Sequence, residues 1–405
     1  MNWKNKNVLI TGINGFVGSY LAKDLIDKEA NVYGLIRDKS KCLSDSLVNK
    51  NINDKFTPLV GDLTDLQSMK NCLNESQPDY IFHLAAQSFV PLSLENPKLT
   101  HEVNTTGTFN LLEAMRLVEC EGRMIFAGSG DEYGLVISSK DQYNKMLNKY
   151  KDIFPDIDNE FKSELAINEN NPLRPMNPYA TSKVNGEFLT RNYYNSYDLD
   201  CVVARCFNHE GAGRGANFVT SVITSQVSNF KEGEPKSINI GNVNALRDWT
   251  HINDMINAYL TLAANAKSGQ VYNQGSMRTN SILSYILLSI QEAGFNINSI
   301  ETLNNEKKIT NPTEINKDKY YGKSFKKTKI DSMILDNQLE YTIKDKGLIV
   351  NTDNENIKVI FNPERFRPSD VPILLSDINK IQKLGFETQY EINDIIKDQL
   401  NIKSN

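Results

Sequence analysis

Directly after the apolar run Val8-Leu9-Ile10 the chain reads Thr11-Gly12-Ile13-Asn14-Gly15-Phe16-Val17-Gly18 and then takes on helical period. Glycines spaced in this way allow a tight strand-to-helix turn, close backbone approach to a pyrophosphate, and close packing of helix on strand. The helix N-terminus then faces the phosphates with its free N–H groups. This junction near the start of the chain predicts a dinucleotide site, with Gly12, Asn14, Gly15, Phe16, Val17 and Gly18 as contacts.

The turn opens a longer rhythm. Val32 to Ile36, Phe56 to Val60, Tyr80 to Leu84, Met124 to Phe126 and Cys201 to Arg205 are short runs, mostly apolar on both faces. Phe16 to Lys28, Leu66 to Leu73, Leu99 to Val118 and a segment starting near Pro178 have helical period between them. Strands covered on both faces look like this, so the fold class is α/β, a doubly wound parallel sheet. Residues 1–207 are expected to form mainly the dinucleotide-binding domain, with a polar insertion at about 138–165 and a return of the chain near 240–265. Residues 208–405 are expected to form mainly a smaller substrate-binding α/β lobe, insertion-rich at 303–355, with helices at Ser376 to Lys383 and Glu391 to Leu400.

Composition narrows the partners. With 45 Lys and Arg against 50 Asp and Glu, no basic excess draws the whole chain to nucleic acid. Five cysteines (Cys42, Cys72, Cys120, Cys201, Cys206) without a CxxC, and four histidines without ligand spacing, point to neither a disulfide framework nor a metal site. No run of about 18 apolar residues occurs, so a cytoplasmic protein without a membrane anchor is expected.

The second strand ends in Gly34-Leu35-Ile36-Arg37-Asp38-Lys39, where NAD sites usually place an acid for the ribose 2′-hydroxyl. Here the position is apolar and Arg37 follows, suited to a 2′-phosphate. NADP is expected, with NAD as the alternative through Asp38. Asp62 and Leu63 after the third strand are placed near adenine, although an Asp before a helix also serves as a cap. Leu84, Ala85 and Ala86 end the fourth strand with little bulk, which lets backbone approach a ligand.

In Asn177-Pro178-Tyr179-Ala180-Thr181-Ser182-Lys183, Tyr179 and Lys183 are four apart and share a helix face. A free phenol, with a pKa of about 10, is too weakly acidic to be a base at neutral pH. A nearby ammonium and an oxidised nicotinamide favour the phenolate, which then takes a proton from a substrate hydroxyl. Ser129, in Phe126-Ala127-Gly128-Ser129-Gly130-Asp131-Glu132-Tyr133-Gly134, stands where a hydroxyl bonds the same substrate oxygen.

These motifs resemble the extended short-chain dehydrogenase/reductase family, Rossmann-type enzymes. Within it they resemble the nucleotide-sugar 4,6-dehydratase branch, and most of all its GDP-mannose 4,6-dehydratases. Asn104 in EVNTTGTFNLLEA, Asn208-His209-Glu210, Arg214-Gly215, Arg247-Asp248-Trp249, Lys346-Gly347 and Asn362 to Pro368 look like the same branch. The resemblance implies a lyase that oxidises a nucleotide-diphosphate hexose at C4, eliminates water across C5 and C6, and returns hydride to C6. It implies Tyr179, Lys183 and Ser129 as catalytic groups, with Lys183 and Tyr179 also touching the cofactor. Gln87, Ser129 and Asn208 fall on the substrate. Arg214, Arg247 and Arg367 offer planar forks to phosphate oxygens, Arg214 also on the cofactor side.

Asp131 stands where the branch carries its Glu base, and Glu132 lies one step beyond, so either carboxylate is a candidate. Gly130 stands where a Ser or Asp usually helps water leave. Ser221-Val222 and Ala212-Gly213 depart from the branch where its GDP-mannose enzymes carry basic residues and Pro-Arg. A 4-epimerase or 4-ketoreductase on the same scaffold is the alternative, a non-catalytic dinucleotide sensor the third reading. A homodimer or homotetramer is implied.

Overall fold

The computed structural model describes residues 1–40, 44–150, 161–366 and 371–401. Seven parallel strands form the main sheet, in the order Val271–Gln274, Cys201–Cys206, Arg123–Ser129, Tyr80–His83, Asn7–Thr11, Asn31–Ile36, Thr57–Val60. Alternation along each strand divides its apolar residues between two layers of helices. Val8, Ile10 and Val202 pack with Leu21 and Leu25 of the helix Phe16–Asp27 and with Met255, Tyr259 and Leu262 of Ile252–Asn265. Leu9, Ile81, Met124 and Val203 pack on the other face with Met69 and Leu73 of Leu66–Ser76 and Leu111 and Met115 of Gly107–Leu117. Burial of each such side chain is worth roughly 1.5–3 kcal/mol, and the strand centres are accordingly apolar.

The strand order reverses beside Asn7–Thr11: Thr11 lies between Leu35 and His83. Such a reversal opens a crevice at the carboxyl ends of the strands. A second, five-stranded sheet runs in the order Lys308–Thr310, Ile297–Thr302, Gly347–Thr352, Asn356–Phe361, Lys236–Ile240. Its apolar face covers the helix Ile282–Glu292, together with Val219–Val227 and Ile392–Asn401. The terminal helix clamps a distant loop. The Ala212 N–H donates to Asp398 Oδ2 at 2.7 Å, and Gln399 Nε2 reaches Thr220 Oγ1 at 3.2 Å.

Three expectations need correction. Leu99 to Val118 is not one regular helix: Pro97–His101 leads through a π-turn, Glu102–Thr106, into Gly107–Leu117. The helix expected at Ser376 to Lys383 shrinks to Asn379–Gln382, because Ser376 gives its N–H and hydroxyl to buried Asp248 and the Asp377 N–H bonds Ile167 O. The segment 303–355, read as insertion-rich, supplies Gly347–Thr352, which pairs on both sides within the second sheet. The polar insertion contains the helix Lys140–Tyr150, and residues 151–160 lie outside the described residues. After the helix Ile252–Asn265 the chain forms Val271–Gln274, the edge strand of the main sheet beside Cys201–Cys206.

Candidate active site

A cavity of about 1450 Å³ opens over the strand ends and runs from the glycine turn to the second lobe. Single-ligand pockets span roughly 300–1,000 Å³, so this one has room for two bound molecules. At one end Gly12 has φ +76°, and a Cβ there would stand 2.9 Å from Ala85 Cα. A Cβ on Gly18 would come within 2.2 Å of Gly12 O. The helix Phe16–Asp27 begins at Gly15 with no side-chain cap and no acid in its first turn. Its leading N–H groups are thus left to an anion, and the cradle fits a dinucleotide pyrophosphate.

Buried hydroxyls and rings hold the neighbouring strand end in place. Thr11 Oγ1 accepts the Ala85 N–H at 3.1 Å and lies 2.8 Å from His83 Nδ1, while His83 Nε2 meets Thr108 Oγ1 at 3.0 Å. Burial, with the Lys183 charge adding to it, pushes His83 down to about 3, so the ring is neutral. Leu84, Ala85, Ala86 and Gln87 line the cavity beyond it, with Leu63, Asn14, Phe16 and Val17 around the turn. Arg37 is exposed at the cavity wall. Asp62 also lines it, yet its Oδ1 accepts the Thr64 N–H and hydroxyl at 2.9 and 2.8 Å, so it caps its own turn.

The helix Pro178–Tyr197 starts with Pro at its first position and the Asn177 side chain accepting the Ala180 N–H. This start presents Tyr179 and Lys183 to the cavity on one face. Lys183 Nζ donates to Ala127 O at 2.7 Å and sits 6.0 Å from the Tyr179 ring centre. Burial brings its pKa down to about 8 against the charges of Glu132 and Cys206. Burial also raises the Tyr179 phenol, as does the Asp131 charge, while a hydrogen bond with Ser129 lowers it. Ser129, Tyr179 and Lys183, expected from the sequence as a catalytic trio, are therefore brought together at the cavity.

The next residues separate the two candidate bases. Ser129 Oγ accepts the Asp131 N–H at 3.1 Å, and Asp131 lines the cavity. Glu132 is fully buried and turns inward, its Oε1 taking the Ser129 N–H at 2.6 Å. The expectation of Glu132 as a catalytic carboxylate is thus corrected: the tight turn sends successive side chains to opposite sides, and the Ser129 N–H holds this one inward, off the cavity. Gly130 is bare because the Phe207 ring would stand 3.2 Å from any Cβ.

The residues expected on the substrate side lie around the other half, except Arg367. Gln87 Oε1, Asn208 Oδ1 and Trp249 Nε1 are buried at the cavity without a hydrogen-bond partner among the described residues. The Arg214 guanidinium lies 3.6 Å over the Phe218 ring and 3.4 Å from Glu210. Arg247 Nη1 donates to Leu246 O and Val371 O at 2.9 and 2.6 Å, which fixes its fork at the wall. Arg367 lies outside the described residues. Asn104 was legible only as part of a motif. In the π-turn it accepts the Gln87 N–H at 2.8 Å and donates to Gln87 O and Ser182 Oγ at 3.0 and 2.9 Å, tying the strand end to the catalytic helix. Trp249 was legible only as part of a motif, and Phe218 and Gln142 at the cavity were not singled out, since nothing local marks them. Among the described residues no cluster of metal-ligating side chains occurs.

Residues 8–275 match the model of the NAD dependent epimerase/dehydratase family. The chain is 30% identical to a GDP-mannose 4,6-dehydratase of Yersinia enterocolitica, over 98% of this chain and 93% of that one. It is 30% identical to GDP-mannose 4,6 dehydratase 1 of Arabidopsis thaliana over 85% and 92%. The fold is shared with RMD from Pseudomonas aeruginosa complexed with NADPH (TM-score 0.66, 22% identity, 98% of both chains). It is shared also with the Thermotoga maritima UDP-glucose 4-epimerase with UDP-glucose (TM-score 0.67, 20% identity, 98% of both chains). The glycine cradle and the Ser129, Tyr179 and Lys183 group fall inside the matched span, and the chain belongs to the NAD dependent epimerase/dehydratase family.

Proposed function

We propose that this protein is an NADP-dependent nucleotide-sugar 4,6-dehydratase that converts GDP-mannose, or a closely similar nucleotide hexose, to the 4-keto-6-deoxy sugar. The observation that carries the reading is the placing of Ser129, Tyr179, Lys183 and the carboxylate of Asp131 around one cavity that also contains the glycine cradle. Residues 1–207 would mainly hold the cofactor and 208–405 mainly the substrate.

When bound, the nicotinamide supplies a reversible hydride acceptor, so the sugar suffers no net redox change. Tyr179, as phenolate, takes the proton from the C4 hydroxyl, with the Lys183 ammonium stabilising the negative oxygen and Ser129 orienting the substrate oxygen. The C4 ketone acidifies the C5 proton. Asp131 removes it, and hydroxide leaves C6 as water once protonated. With Gly130 in place of a hydroxyl or carboxyl, that last proton must come from Asp131 or Tyr179. Gln87 and Asn208 hold sugar hydroxyls, and Arg214 and Arg247, with Arg367, hold the diphosphate. Arg37, with an apolar residue before it, supports NADP over NAD.

Gly130 also favours a second reading, a 4-epimerase or 4-ketoreductase. Incubation with GDP-mannose and a trace of NADP⁺ separates the two, with UDP-glucose as a parallel arm. A dehydratase yields a 4-keto product that absorbs in alkali while the cofactor turns over catalytically. A stoichiometric requirement for NADPH would sink the dehydratase. We further propose a cytoplasmic homodimer or homotetramer, paired through the exposed Phe109, Leu117, Phe188 and Tyr197 of two adjacent helices.

A further inference from the structure

Beneath the strand end that carries Ser129 lies a group of charges that the proposed chemistry does not use. Arg205, Glu132 and Glu187 are each no more than 3% exposed. Arg205 grips Glu187 with two bonds, Nε to Oε2 and Nη2 to Oε1, both 2.7 Å. Its Nη1 is spent on Tyr133 Oη at 2.9 Å and Glu169 O at 3.2 Å. Arg191 adds a further bond to Glu187 Oε1 at 3.2 Å. Glu132 is left over. One of its oxygens takes the Ser129 N–H, and the other, 3.7 Å from Arg205 Nε, is buried with no hydrogen-bond partner among the described residues.

Two carboxylates thus compete for one guanidinium that is already committed to Glu187. A second buried anion without its own cation is costly, whereas a neutral acid can give its O–H to the neighbouring carboxylate. We propose that Glu132 is a neutral carboxylic acid at working pH, donating its proton to Glu187 while its carbonyl oxygen accepts the Ser129 N–H. Glu132 is therefore a positioning residue: it holds the Ser129 to Asp131 turn in register and does not touch substrate.

The surrounding groups agree. Burial pushes Glu132 well up, the Glu187 charge pushes the same way, and Arg205 and the Ser129 N–H pull against them. Glu187 is lowered, Arg205 outweighing its burial. Lys183 and Arg191 on the same helix as Glu187, Cys206 on the neighbouring strand, Asp131, Tyr133 and Tyr179 near the turn, and Glu169 and Lys380 beyond Arg205 are further titratable neighbours among the described residues. An ionised Glu132 would raise the pKa of both Tyr179 and Lys183. The neutral form spares the Tyr179 phenolate a nearby negative charge.

The service to Ser129 rests on the dehydratase reading, but the proton does not. The test is the infrared difference spectrum of the full chain, wild type minus Glu132→Gln, at neutral pH. The carbonyl stretch of a protonated carboxylic acid is expected, and it should vanish also in Glu187→Gln, where Glu132 inherits Arg205 and ionises. In turnover, Glu132→Gln should stay within about tenfold of wild type, while Glu132→Ala, which frees the Ser129 N–H, should lose about 100-fold in kcat/KM. Absence of the band would overturn the proposal. So would a Gln variant that fails to fold, or one that binds cofactor normally yet is as inactive as the Ala variant. If no nucleotide sugar turns over, the band still decides the proton while the functional reading falls.

Discussion

Gly18→Ala tests whether the glycine turn works by exclusion of bulk. The new Cβ would lie 2.2 Å from Gly12 O, 2.8 Å from Ile13 Cα and 2.9 Å from Gly12 C, all backbone atoms. The first contact falls 1.2 Å short of the 3.4 Å at which ordinary contact begins. Backbone cannot swing aside as a side chain does, so the turn must shift by about 1 Å. Overpacking of this kind costs roughly 1–3 kcal/mol, offset by about 1 kcal/mol of helix propensity gained, which leaves at most about 2 kcal/mol of lost stability. The larger effect is on binding: a 1 Å misplacement of preorganised groups costs on the order of 100-fold, or about 2.7 kcal/mol in Kd. Gly15→Ala is the control, since its Cβ meets only Gly12 O, at 3.2 Å. It should spare thermal stability while weakening cofactor binding by intruding on the phosphates. Fluorescence titration with NADPH and a thermal melt read both quantities. A Gly18→Ala protein with Kd within about threefold of wild type and an unchanged melt would refute the reasoning.

Four further outcomes are expected. Lys183, brought down to about 8, binds its proton less readily folded than unfolded, so stability should rise with pH between about 8 and its ordinary 10.5, and Lys183→Met should flatten that slope in urea titrations. Because the charged form supports the Tyr179 phenolate, kcat/KM should fall above about pH 8, and Lys183→Arg, always charged, should move that limb upward. Asn104→Ala strands the Gln87 N–H and C=O, each lost partner costing about 1–3 kcal/mol; sugar KM should rise, and an unchanged KM would remove Asn104 from the site. Phe188→Asp, at a ring 54% exposed, should convert the sedimenting species to monomer, whereas unaltered sedimentation would place the interface elsewhere.

What was legible in the sequence follows the range of the forces involved. The glycine turn is a local steric demand, and Tyr179 and Lys183 meet by helical spacing alone, so both could be read directly. The parallel strands were readable because burial on both faces leaves nearly unbroken apolar runs. Asp131 and Glu132 could not be told apart, since which one faces the cavity is decided by how the turn folds back on itself, Glu132 taking the Ser129 N–H and Asp131 being left at the cavity. Gly347–Thr352 lies inside a stretch rich in Lys, Asn and Asp, and its place in the second sheet comes from long-range pairing with Ile297–Thr302 and Asn356–Phe361. The π-turn around Asn104 has no residue pattern of its own. Its geometry is imposed by the strand end and the catalytic helix that Asn104 joins.

The clamp of the terminal helix on the loop before Arg214 sets an order of events during synthesis. Asp398 and the Ala212 N–H it receives are 186 positions apart. The family-matched span ends at residue 275, so a growing chain can complete its parallel sheet and glycine turn while the loop carrying His209 and Arg214 still lacks its far support. Productive engagement of the second ligand must then wait until the last helix has emerged and docked. Ribosome-bound chains arrested before Ile392 should accordingly bind dinucleotide yet fail to retain nucleotide sugar.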